Sequence, residues 1–287
     1  MLEIDGRAFT PWMLGNRVVG EGYLKRCEPH AAVRFYDIFD PAALDFYRLV
    51  NGGNHAAFGD LGMPAWVQLD CCTLPSAMVG LALPRASLDP ALFGRIAHHI
   101  GRVFGAEAEA RLADYDGLVP VSEYCGLPTD VPGVTVGFSM FTLLPNLKLG
   151  LRAKALALLA YGTRVQLGTT QYDNIALRSH CQLGPLEVVQ ALAQTHSKPD
   201  KTLLYRVHLG EPAHLVTLYE RGEATPEPHR IDFEIPVTSG ADAARAVIAL
   251  EAAHGRLAIV APGLRAGAPP TLCVALSATA PLDPLTS

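Results

Sequence analysis

The chain reads as an α/β protein with a mixed central sheet flanked by helices and a small C-terminal α/β extension. Three observations predict this class. Strand-like and helix-like runs alternate between 134 and 209; two aspartate-proline pairs mark helix starts; and 49% apolar against 18% charged residues supplies enough hydrophobic side chain for a large core.

Asp40-Pro41 and Asp89-Pro90 each set a capping carboxylate before a proline whose missing N–H costs nothing in the first turn. They predict helices from about 41 to 50 and from about 90 to 104. Between them, Trp66 to Asp70 and Ala77 to Leu83 read as strands joined by a turn at Pro75, a β-meander after a helix. Val134 to Leu144 is rich in β-branched and aromatic residues and is bounded by Pro132-Gly133 and Pro145-Asn146, which predicts a central strand. A helix from Leu149 to Tyr161 follows and ends at Gly162. After it come a strand from Thr163 to Gly168, a capped helix from Asp173 to Leu183, and strands at Leu186 to Gln190 and Thr202 to Leu209. Beyond Gly210 the composition shifts. Thr225-Pro226-Glu227-Pro228 precedes a strand from Ile231 to Val237, a helix from about Ala241 to His254, and strands at Leu257 to Ala261 and Thr271 to Ser277. The expected division is a core over 1–210, an extension over 211–278 and a frayed tail over 279–287.

Charge and cysteine content narrow the function classes. The formal net charge of -5 gives no global basic field, so no nucleic-acid partner is expected. The first residues, Met1-Leu2-Glu3-Ile4-Asp5-Gly6, lack a basic region and an apolar core, so no export signal is expected. The apolar run from Leu149 to Tyr161 is interrupted by Arg152 and Lys154 and is too short to cross a bilayer, so no membrane role is expected. Six scattered cysteines with no Cys-x-x-Cys pair read as reduced thiols in a cytoplasmic protein. Cys71-Cys72 on a strand would point to opposite faces, and His98-His99 on a helix meets the same difficulty. With no His-Glu-x-x-His spacing, no metal site is predicted, although histidines such as His55, His180, His196, His208 and His214 could converge in space. Gly137-Phe138-Ser139-Met140-Phe141 begins like a nucleophile elbow, yet it lacks the second glycine and lies within a strand, which argues against a serine hydrolase. Cys125 has no local histidine to activate it and reads as a buried thiol. Thr169 to Asn174 is a polar cluster at a strand's carboxyl end, either a ligand edge or a capping turn around Asp173.

One segment stands apart. From Val131 to Tyr172 there is no Asp or Glu, while Lys148, Arg152, Lys154 and Arg164 are all present. Three of these bases fall at the start of the predicted helix, where the backbone dipole makes each added cation unfavourable by roughly 0.3–1 kcal/mol. A bound anion reverses that sign, and free N–H groups from Asn146 to Gly150 beside flanking cations describe a phosphate site. The alternative is that long basic side chains solvate an exposed face of an Ala/Leu-rich helix.

The order strand, loop, helix, strand, then a helix reading Asn174-Ile175-Ala176-Leu177-Arg178-Ser179-His180-Cys181-Gln182-Leu183-Gly184 resembles the GNAT-type acyl-CoA N-acyltransferases over about 134–209, and more loosely over 40–84. In that family the loop pattern is Gln/Arg-x-x-Gly-x-Gly/Ala; Leu147-Lys148-Leu149-Gly150-Leu151-Arg152 keeps only the middle glycine, and Pro185 stands where phenylalanine is usual. The resemblance implies an acyl-CoA co-substrate and a small-molecule acceptor. It places Leu144, Asn146, Lys148, Gly150, Arg152 and Asn174 at the coenzyme, with amides around Leu143 to Asn146 polarising the thioester. His180, four residues before Gly184, becomes the acid for the leaving thiolate or else a structural histidine. Glu123, just before the central strand in sequence, becomes the base or else caps a turn. Two other classes remain open: a non-catalytic binding protein on a degenerate scaffold of this kind, and a metal- or thiol-dependent enzyme.

Overall fold

A computed structural model describes residues 1–194, 198–225 and 228–277. The expected tail over 279–287, His196 and the Pro226-Glu227 part of the expected linker lie outside the described residues. In chain order the elements are β1 (Leu2–Ile4), β2 (Arg7–Gly15), α1 (Arg17–Cys27), β3 (Arg34–Asp37), α2 (Leu44–Phe58), α3 (Ala65–Thr73), β4 (Ala77–Pro84), α4 (Pro90–Phe104), α5 (Ala106–Ala110), β5 (Leu118–Pro128), β6 (Val134–Thr142) and α6 (Leu149–Tyr161). There follow β7 (Val165–Gln171), α7 (Ala176–His180), β8 (Leu186–Gln190), β9 (Thr202–His208), α8 (Pro212–Arg221), β10 (Phe233–Pro236), α9 (Gly240–His254), β11 (Leu257–Arg265) and β12 (Thr271–Leu276). The protein is α/β, and among the described residues no helix is long and apolar enough to cross a membrane.

The chain forms two compact units, and they are not the blocks 1–210 and 211–278 expected from composition. Unit 1 comprises Met1–Arg164 and Glu211–Ala224; unit 2 comprises Val165–Gly210 and the described residues from Thr225 on. The composition shift at Gly210 marks the start of α8, which belongs with the first unit.

In unit 1 the strands run in the order β1-β2-β4-β5-β6, all antiparallel, with β3 added parallel to β2. The sheet is therefore mixed. Its two faces alternate along each strand. Trp12, Gly80, Glu123 and Phe141 are cross-strand partners and share one face, which α2 covers: a Cβ on Gly53 would lie 2.9 Å from the Phe141 ring. Tyr124 and Met140 point the other way, toward α6, where Gly150 packs beside the Met140 sulfur. Every residue of α6 is buried. The core on the first face gathers Trp12, Leu14, Phe46, Val50, Cys71, Cys72, Met78 and Cys125. In unit 2 the strands run β7-β9-β8-β11-β12-β10, each pair antiparallel, with α9 packed against β9, β10 and β11.

Several elements follow the sequence closely. Asp40 and Asp89 cap as expected, accepting from the N–H groups of Ala42 and Ala91, and α4 and α6 occupy the predicted ranges. Others depart from it. A 3-10 turn over Pro41–Ala43 precedes α2, which continues eight residues past the expected end, straight through Asn51-Gly52-Gly53-Asn54. The glycines there are packing devices, since a Cβ on Gly52 would lie 2.7 Å from Ile100. The predicted strand Trp66 to Asp70 is the helix α3. Its buried residues Gln68, Cys71 and Cys72 recur at helical spacing, and Pro64 precedes its first turn. There is accordingly no meander before β4, and Cys71 and Cys72 are both buried on a helix. The helix expected over 173–183 shortens to α7, capped by Asn174, while Asp173 pairs with Lys201.

Candidate functional site

β5 is an eleven-residue strand whose middle is wholly buried, and Glu123 sits there with no solvent exposure. Glu123 is thus a strand residue beside β6, not a turn cap. Its Oε2 accepts from Asn54 Nδ2 at 3.4 Å and from Ser139 Oγ at 3.5 Å, while its Oε1 has no hydrogen-bond partner among the described residues. Burial pushes the Glu123 carboxyl up to about 7, and the Asn54 and Ser139 hydrogen bonds only partly oppose it.

The partners are held from α2. Asn54 Oδ1 accepts from the Met63 N–H at 2.6 Å, which fixes the amide so that Nδ2 faces Glu123 and Ser139, 3.1 Å from the serine oxygen. One turn earlier, Asn51 Nδ2 donates to the Met63 carbonyl at 2.9 Å and to Gln68 Oε1 at 2.7 Å, and Gln68 Nε2 donates to the Tyr47 carbonyl. α2, the Met63 loop and α3 are therefore one hydrogen-bonded block above the strand. Opposite Glu123 stands Gly80, where a Cβ would lie 2.0 Å from the Ser122 carbonyl and 2.6 Å from the Trp12 ring. Trp12 fills the space that Gly80 leaves, and its indole N–H has no partner among the described residues.

Three thiols surround this centre. Cys125 donates a hydrogen bond to Cys71, which raises the Cys125 thiol and lowers that of Cys71, and burial raises Cys72. Ser139 is half-buried, so the group that touches Glu123 also touches the surface of unit 1.

The basic segment is arranged otherwise than either sequence reading expects. Arg152 is 7% exposed, and its Nη1 donates to the carbonyls of Tyr219, at 2.8 Å, and Glu220. Those are last-turn carbonyls of α8, so the guanidinium caps that helix. Gly222, at φ +71, closes α8 beneath it, and a Cβ there would lie 2.8 Å from Arg152 Nε. Lys148 pairs with the exposed Glu223. Lys154 is buried, with Nζ 5.8 Å from the Tyr124 ring centroid. The Arg164 guanidinium donates to the Pro132 carbonyl, and its backbone N–H to the Gly133 carbonyl. Of the four cations, Arg152 and Lys154 are buried, while Lys148 and Arg164 are exposed.

Of the other residues assigned to the coenzyme, Asn146 and Lys148 adopt positive φ, 67° and 54°, just before α6. Gly150 is buried with its Cβ position 3.4 Å from the Met140 sulfur. The Leu143 N–H is taken by the Val121 carbonyl, and the Leu144 carbonyl accepts from Thr142 Oγ1.

Asn174 and His180 belong to unit 2. Asn174 accepts from the Ala176 N–H, a local cap, and His180 is buried on α7 with its ring 5.4 Å from that of Tyr205. Asn54 and Ser139 were not singled out as catalytic from the sequence. The available signal was a lone glutamate in the middle of an apolar strand-length run, Leu118 to Pro128, which demands polar partners from elsewhere. Among the described residues no group of three or more His, Cys, Asp or Glu is placed to hold a metal ion. No family model, no curated protein and no solved structure matches the chain.

Proposed function

We propose that the chain is an acyltransferase that uses an acyl thioester of the coenzyme A type, with Glu123 as its proton acceptor. The observation that carries the reading is the Glu123 carboxyl: fully buried, pushed up to about 7, with one oxygen free of partners among the described residues and the other in contact with half-buried Ser139. A base with a value near the working pH is what general base catalysis requires. The class of reaction rests on the succession β6, α6, β7, α7 with the Asn174 to Gly184 segment, which resembles the GNAT-type enzymes. The amides of Leu144 and Asn146, just before α6, would face the thioester oxygen and the phosphates; Lys148 would add charge only by leaving Glu223.

A second reading, a binding protein without catalysis, is favoured by the commitment of Arg152 to the α8 carbonyls. One experiment separates the two. Acetyl-CoA, longer acyl-CoAs and free coenzyme A are titrated in a thermal unfolding assay, where a ligand at a hundred times its Kd stabilises by about 2.7 kcal/mol. Thiol release is then followed with a panel of amines. Stabilisation with thiol release that Glu123→Gln abolishes supports the transferase; stabilisation without release under any acceptor supports the binder. No stabilisation by any thioester at millimolar concentration refutes both.

A further inference from the structure

Ser139 is not an ordinary strand serine. Strand β6 presents it on the same face as Phe141 and Glu123, opposite Cys125, where the β5–β6 register shifts between Cys125 and Gly126. A register shift of this kind re-aims the side chains beside it. The hydroxyl lies 3.5 Å from the Glu123 carboxylate and 3.1 Å from the Asn54 amide nitrogen. The Asn54 amide is locked by the Met63 N–H, so its two hydrogens are directed at the carboxylate and at the serine oxygen. A hydroxyl between a buried base and a fixed donor, itself half-exposed, has the parts of an activated nucleophile.

We propose that Ser139 carries the acyl group as an ester during turnover, so that transfer proceeds in two steps through an acyl-enzyme. The inference rests on the acyl-thioester reading above. In the first step Ser139 Oγ attacks the thioester carbonyl carbon, and its proton passes to Glu123 Oε2. The C–S bond then breaks, and the thiolate leaves, taking up the proton that Glu123 holds. In the second step Glu123 removes a proton from the acceptor, which attacks the ester, and Ser139 Oγ leaves with that proton restored. Asn54 is a donor to the serine oxygen throughout and holds it toward the base. Neither step needs an oxidant or a further co-reactant.

The test uses the full chain and two probes. Acetyl-CoA without an acceptor, and separately p-nitrophenyl acetate, are mixed with the protein, quenched in acid and analysed by peptide mass mapping. Release of thiol or nitrophenolate is followed in the first turnovers. The expected result is one acetyl increment on the Ser139 peptide and a burst equal to the protein concentration, with Ser139→Ala unlabelled and Glu123→Gln slower by about 10²-fold or more. The burst is read on the unsubstituted protein, so it does not depend on a variant folding. Labelling of Ser139 by the nitrophenyl ester but not by acetyl-CoA upholds the nucleophile and overturns the coenzyme A reading. Stabilisation and turnover with acetyl-CoA that persist in Ser139→Ala, without a burst, overturn the ester and leave direct transfer. No label on Ser139 from either probe overturns the proposal.

Discussion

Replacing Glu123 by glutamine should change how stability depends on pH, and by a calculable amount. The carboxyl titrates near 4.5 when unfolded and at about 7 in the fold. Below 4.5 it is protonated in both states and costs nothing. Between 4.5 and about 7 the folded state keeps a proton that the unfolded chain has lost, so stability falls as pH rises; above about 7 the cost is complete. At about 1.36 kcal/mol per unit, ionising this buried group lowers stability by about 3 kcal/mol. Glutamine is neutral at every pH and can present its oxygen to Asn54 and Ser139 where Oε2 now sits. Urea unfolding of both proteins at pH 4.5, 6, 7 and 8 cancels the titration of all other groups in the difference. The difference between glutamine variant and parent should move by about 3 kcal/mol in the variant's favour across that range. A difference constant within about 0.5 kcal/mol would mean that Glu123 titrates normally, and the proton-acceptor argument would fall with it.

Arg152→Met should destabilise unit 1 by about 2–4 kcal/mol, because it strips a charged donor from two last-turn carbonyls of α8; urea midpoints measure it, and a loss under 0.5 kcal/mol would return Arg152 to the pool of ligand-binding cations. Lys148→Ala, by contrast, should cost less than about 1 kcal/mol by the same assay, since its pair with Glu223 is solvent-exposed. Gly80→Ala should be among the most damaging single-methyl additions in the chain: the new Cβ collides with the Ser122 carbonyl and the Trp12 ring. Trp12 fluorescence should report the displacement, and an unchanged emission and melting temperature would refute the close packing.

Much of the fold was legible where local chemistry dominates. Asp40, Asp89 and Gly162 punctuate helices through their own backbone preferences, and Val134 to Thr142 declares a strand by composition alone. α3 was misread because Trp66-Val67-Gln68-Leu69 has strand-like residue types, while its helical burial of Gln68, Cys71 and Cys72 is set by Asn51 and Tyr47, remote in sequence. α2 was cut short because paired glycines normally break helices; here they admit Ile100 and Phe141. Of the buried cluster around Glu123, only the glutamate itself was legible. Glu123 could be named, but Asn54 and Ser139 reach it from 69 and 16 residues away, and no spacing rule announces that meeting. The acid-free segment is unusual as a sequence, yet Arg152 and Arg164 meet carbonyls of α8 and of Pro132 that no periodic pattern announces.

The assignment of α8 to unit 1 has a consequence for biosynthesis. α6 is buried on every side, and part of its cover comes from Leu215, Leu218 and Tyr219 of α8, with Arg152 reaching to the same helix. About sixty residues separate the end of α6 from the end of α8. At roughly 5–20 residues per second a ribosome takes roughly 3–12 s to cross that distance. During that interval the nascent α6 has β4, β5 and α1 to pack against but lacks the part of its cover that α8 supplies. Slowing codons or truncations placed between 162 and 211 should lengthen that exposure and lower soluble yield, whereas the same changes after Ala224 act on a first unit whose residues have all been made.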